Sequence, residues 1–200
     1  MPSKIQPQTP SPKRLPEPAT AGFQDAANPI FNAALEQRVL VNLPAQVFAP
    51  LKEWIETNAL LELSAEAGIQ WIVLFVTDGE LDSRNLLRHS LAYFQHQVIH
   101  VVVKNHGVVK QPDPSRAWAE FEDDSPLQEL MSQYTATIID FPAFHGDAEL
   151  IELDKQNLTF REALTYKGFS LISRQRVKNF LRSAYAAFEA TEVFRNAGEA

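Results

Sequence analysis

The chain has no cysteine among its 200 residues. That absence excludes a disulfide framework, a thiol nucleophile and a thiolate-held metal, and it leaves the redox compartment open. Glycine is also scarce. The seven glycines stand at 22, 68, 79, 107, 146, 168 and 198, and no two share a plausible loop. Neither G-x-x-x-x-G-K-[ST] nor G-x-G-x-x-G occurs, so the backbone cradle that grips a triphosphate is missing. No apolar run approaches the roughly 20 residues of a membrane span. Lys4 is not followed by the apolar core of a secretory signal. These readings lead us to expect a cytoplasmic protein with no membrane partner. The Asn157-Leu158-Thr159 sequon carries no weight in that setting.

Hydrophobic residues make up 45% of the chain and phenylalanine alone contributes 13, so a substantial core is within reach. A net charge of -7 argues against a chain-wide nucleic-acid surface but permits a local basic patch. The five histidines (89, 96, 100, 106 and 145) show no metal-ligand spacing. His96 and His100 are four apart, but a helix end and a strand separate them. All five read as isolated solvated or packed side chains.

Residues 1–27 read as a disordered, proline-rich arm, with six of the thirteen prolines in the first 18 positions. Residues 28–200 read as an α/β domain ending in an amphipathic helix. Asn28 is expected to cap a short helix with Pro29 at its first position. Val39 to Asn42 reads as a buried strand stopped by Pro44. A helical pattern follows from Val47 to Ala67, with one break near Asn58. Ile69–Thr77 is a nearly continuous apolar run, the mark of a central strand covered on both faces, and Val98–Lys104 reads as a third buried strand ending at Asn105. Between them a helix carries Leu86, Leu87, Leu91 and Phe94. Ser125-Pro126-Leu127-Gln128 and Thr159-Phe160-Arg161-Glu162 both have the form of a capping box. Glu120 to Asp124 reads as a solvated acidic loop. A fourth strand covers Thr135–Asp140. The last helix, Arg174 to about Phe194, aligns Val177, Phe180, Leu181, Ala184 and Phe188. Strands alternating with helices predict a doubly wound, mostly parallel sheet flanked by helices.

In such sheets ligands bind beyond the carboxyl ends of the strands. That edge would present Asn42, Thr77 with Asp78, Lys104 with Asn105, and Asp140 ahead of Pro142. Arg174, Lys178 and Arg182, four apart along the last helix, are candidates for non-specific contact with DNA phosphates. A solvated helix flank accounts for them equally simply.

The succession Val-Leu-Val-Asn-Leu-Pro-Ala-Gln, Trp-Ile-Val-Leu-Phe-Val-Thr-Asp, His-Val-Val-Val-Lys-Asn and Ile-Ile-Asp-Phe-Pro resembles the later strands of ParA/MinD-type P-loop ATPases. The likeness is nearest to the MobD-like plasmid mobilisation and partition proteins, and it spans about Pro29 to Glu192. It implies a P-loop-like fold without the phosphate-loop strand. It also implies a site for ATP and magnesium in which Asn42 and Pro44 stand at the magnesium side, Asn105 reads adenine, and Phe141 and Pro142 line the base pocket. Asn42 replaces the aspartate usual in that family and cannot supply an anionic partner to a hydrated cation. The resemblance therefore implies that the chain alone neither hydrolyses ATP nor holds ATP and magnesium. Two explanations compete: an ATPase lacking its first part, or a complete non-catalytic relative. The expected partners are a second copy of the chain, plasmid mobilisation or partition proteins, and non-specific DNA. An interaction module working through the last helix is the alternative function. A third reading is a small-molecule enzyme with Asp78 or Asp140 as general base.

Overall fold

A computed structural model describes residues 13–14, 22–44, 46–108 and 114–194. The chain divides into two compact units, 1–70 and 71–200.

In the first unit, β1 (Lys13–Arg14) pairs in parallel with β2 (Val41–Asn42), and three helices follow the same stretch of chain: α1 (Gly22–Ala34), α2 (Phe48–Thr57) and α3 (Leu60–Glu66). Helix α1 starts six residues before the expected cap, so Pro29 lies inside it. Asn28 caps nothing. Its carboxamide oxygen instead accepts the indole N–H of Trp54 at 3.0 Å. The predicted break near Asn58 is real: Ala59 adopts a left-handed conformation between α2 and α3. Leu51, Trp54, Ile55 and Leu60 are buried.

The strand expected over Val39–Asn42 requires correction. Only Val41 and Asn42 are extended, and they join β1 instead of the main sheet. Leu40 and Leu43 are exposed, so the run lacks the two-sided burial that drives a strand into a parallel sheet.

The second unit is built on a parallel sheet in the order β3 (Ile72–Thr77), β4 (Ile99–Asn105), β5 (Thr137–Phe141), so among the described residues β4 is the central strand and β3, expected to be central, lies at an edge with Val76 exposed. Helices flank both faces. On one face, Leu87 and Leu91 of α4 (Leu81–Phe94) meet Trp118 and Phe121 of α5 (Pro114–Glu122), Leu127 and Met131 of α6 (Ser125–Gln133), and Val102 of β4. On the other, Val101, Val103 and Ile139 lie under Phe188 of α9 (Leu171–Glu189). Strand alternation explains the division, because Val102 points opposite to its neighbours. A smaller cluster of Leu153, Ala163, Phe169 and Val177 joins α9 to α7 (Asp147–Gln156) and α8 (Phe160–Ala163).

Thr159 forms its capping box as expected, accepting from Glu162 N while Glu162 Oε2 accepts from Thr159 N at 2.8 Å. Ser125 does not cap α6. Asp124 does, its carboxylate accepting from Leu127 N at 3.2 Å. The reason is electrostatic: Asp124 is also held by Arg84 and Arg88, and an anchored carboxylate outcompetes a neutral hydroxyl for the helix N–H groups. The acidic stretch from Glu120 to Asp124 is thus no solvated loop. Its first residues end α5 and its last is buried against two arginines. Helix α7 was not anticipated in the sequence, although Asp147 and Glu149 in its first turn and Lys155 in its last are the charges a helix favours.

Candidate functional site

The register aligns Thr77, Lys104 and Asp140 in one row at the carboxyl end of the sheet. Lys104 shares its face with Val102, the side of α4 to α6, so its long stem runs into the core. Only 8% of Lys104 is exposed. An ammonium buried this deeply requires partners, and it has them. Its Nζ donates to Glu122 Oε1 at 2.8 Å, lies 3.6 Å from Asp140 Oδ1, and sits 5.0 Å from the Trp118 ring centre. Helix α5 supplies both Glu122 and Trp118, so the aromatic face and the carboxylate close over the cation together.

Asp140 is shared. His106 Nε2 approaches its Oδ1 at 2.8 Å, and the His106 ring packs 5.0 Å from Trp118. The backbone N–H of His106 donates to the Phe141 carbonyl, which pins the turn after β4 onto β5. The hydrogen bond from His106 lowers the Asp140 pKa most; burial opposes it, and the Lys104 charge adds to the lowering. Replacing His106 with alanine is therefore expected to raise the Asp140 titration midpoint towards the ordinary aspartate value, measured by carboxyl carbon NMR. An unmoved midpoint would remove His106 as the cause.

At the β3 end, the turn into α4 is closed on itself. Gly79 takes a positive φ of 81° there, and its N–H donates to Thr77 Oγ1 at 3.0 Å. Thr77 Oγ1 also bonds Ser83 Oγ at 2.8 Å, and Asp78 Oδ1 accepts from Glu80 N. The turn carries Asp78, Glu80 and Asp82 with no cation between them. Two of its amides, those of Gly79 and Glu80, are taken by its own side chains, and its charge is negative, so it does not favour a phosphate.

The expected site residues are distributed as follows. Asn105 ends β4, and its Oδ1 accepts from Gly107 N at 3.0 Å. Phe141 is the register partner of Asn105 on β5. Its ring packs 5.9 Å from Phe180 and 5.8 Å from Phe188 on the α9 side, and Pro142 follows it. Asn42 and Pro44 belong to the first unit, where Asn42 is exposed at the end of β2. Arg174 and Lys178 line a hollow of about 310 Å³ together with Leu164, Leu171 and Gln175. Arg182, one turn further along, donates to Asn179 Oδ1 at 3.2 Å. Among the described residues no group of three or more histidines and carboxylates is arranged to hold a metal ion. Nor is any helix among them long and apolar enough to cross a membrane.

Sequence reasoning missed the role of His106, read as an isolated histidine, and the Asp124 cluster. The signal for the cluster was the pair Arg84 and Arg88, four apart on α4 and flanking the apolar Leu87 and Leu91. His100 does behave as a packed residue: burial, the leading cause, lowers its pKa, and its Nε2 lies 2.8 Å from the Gln95 carbonyl.

No protein-family model matches the chain, and no solved structure matches it. The chain is similar to Protein TraL of Escherichia coli, with 24% identity over 173 residues that cover 80% of this chain and 68% of that protein.

Proposed function

We propose that the chain is a plasmid-associated protein of the ParA/MinD type, nearest to the MobD-like mobilisation and partition proteins, that does not hydrolyse ATP alone. The likeness to Protein TraL supports the plasmid part of this reading. The ParA/MinD part rests on the sequence resemblance of the segments at β3, β4 and β5, in which a parallel strand ends on Asn105 beside Phe141. One observation carries the non-catalytic part. The turn after β3 holds three carboxylates and binds its Gly79 and Glu80 amides to its own side chains, and the nearby cation, Lys104, is already bound by Glu122 and Asp140. A triphosphate, with its high negative charge, finds no cationic cradle there. Phosphate release by the purified full-length chain with magnesium and ATP is expected to stay at the blank. A measurable turnover that disappears in Asn42→Ala would overturn this.

A second reading, an interaction surface on α9, is favoured by the hollow that Arg174 and Lys178 share. Neither residue has an ion-pair partner among the described residues, whereas Arg176 on the same helix binds Glu149 at 3.0 Å.

A further inference from the structure

The first half of α9 combines two properties that a solvated helix flank does not need. It is basic, with Arg174, Arg176 and Lys178 in the opening turns and no acidic residue in the first turn. Cations at that end of a helix sit against the positive pole of the backbone dipole and are unfavourable there. It is also apolar at its surface: Leu171 is 80% and Ile172 67% exposed, and Leu171 is the most exposed large apolar side chain among the described residues. Leu164 and Leu171 form the apolar part of the hollow, and Arg174, Gln175 and Lys178 form its polar part. No carboxylate lines it.

We propose that this hollow receives an acidic segment of a partner protein, seating a leucine-type side chain between Leu164 and Leu171 and carboxylates on Arg174 and Lys178. Charge complementarity selects the occupant. The protein as a whole carries -7, so a local cationic surface attracts an acidic chain against the general repulsion. The exposed leucine distinguishes a peptide from a nucleic acid, because a phosphate backbone gains nothing from apolar area, whereas amphipathic segments bind through periodic apolar anchors. The inference rests on the reading of α9 as an interaction surface and is independent of the nucleotide reading.

The test uses the full-length chain and two labelled acidic peptides in fluorescence anisotropy. One peptide has leucine at every third or fourth position, and the other has serine at those positions with the same charge. The leucine peptide is expected to bind at least about tenfold more tightly than the serine peptide, since one buried leucine contributes that much. Leu171→Ser, at a position too exposed to affect folding, is expected to remove that advantage. Arg174→Glu with Lys178→Glu is expected to abolish binding of both peptides. Equal binding of the two peptides, with duplex DNA displacing them and Leu171→Ser indifferent, would overturn the proposal and leave a phosphate-contacting surface. Absence of binding by either peptide and by DNA would overturn the interaction surface itself.

Discussion

Asp124→Asn is expected to destabilise the second unit by about 3 kcal/mol, the scale of breaking a buried ion pair from one side. The Asp124 side chain is 5% exposed and is shared by Arg84, whose side chain is 11% exposed, and Arg88. Neutralising the carboxylate leaves two guanidinium groups facing an amide, one of them largely removed from water. It also weakens the cap on α6. The measurement is the denaturant midpoint, with Ser125→Ala as the control. Ser125 is no cap, so its variant should shift stability by less than about 0.5 kcal/mol. A larger loss in Ser125→Ala than in Asp124→Asn would reverse the assignment. The pH dependence has a definite sign. Burial, the largest influence, pushes the Asp124 carboxyl up, but the Arg88 hydrogen bonds, the Leu127 N–H and the charges of Arg88 and Arg84 together outweigh it and hold its pKa below the ordinary value. A carboxylate depressed on folding stabilises the protein above its unfolded pKa, near 4, and that contribution fades as pH falls through the lower folded value. The parent should therefore lose stability below about pH 4 more steeply than Asp124→Asn, which has no proton to gain.

Phe121→Ala is expected to lower stability by about 3 to 5 kcal/mol, the usual range for emptying a fully buried aromatic site. Phe121 is 1% exposed and contacts the Trp118 ring edge to face at 6.1 Å. It also lies beneath Lys104 Nζ, and its carbonyl accepts from Gln128 at 2.8 Å. Losing the ring releases the platform that presents Trp118 to Lys104, so the tryptophan emission should shift along with the denaturant midpoint. Phe121→Leu, which keeps most of the volume, should cost less than half as much. A Phe121→Ala variant with an unchanged midpoint would show that the cluster between α4, α5 and α6 does not hold this unit together.

Much of the second unit was legible from its sequence because its elements are long and strongly patterned. Ile72–Thr77 and Ile99–Asn105 announce themselves through runs of β-branched residues, and the stripe from Val177 to Phe188 announces α9. The ends of the strands are legible as well, and they place Lys104 and Asp140 at one edge. Three things were hidden for a common physical reason: each depends on a partner distant in sequence. The capping role of Asp124 depends on Arg84 and Arg88 from another helix, about 36 to 40 positions away. The pairing of His106 with Asp140 depends on register between strands that share no sequence neighbourhood. The short strand at Val41–Asn42 looked like a sheet strand because local apolar pattern carries no information about which strand it will meet.

Lys104 has a further consequence, for folding as distinct from binding. The middle stretches of β3, β4 and β5, Ile-Val-Leu-Phe-Val, Val-Val-Val and Ile-Ile, are apolar and do little by themselves to fix the alignment of neighbouring strands. A slip of one residue would turn the Lys104 ammonium to the opposite face, towards Phe188 and away from Glu122 and Trp118. A slip of two would leave it opposite a hydrophobic neighbour in place of Asp140. Either mismatch parts the ammonium from its carboxylate partners, so Lys104 and Asp140 together act as an alignment mark that interchangeable valines and isoleucines cannot supply.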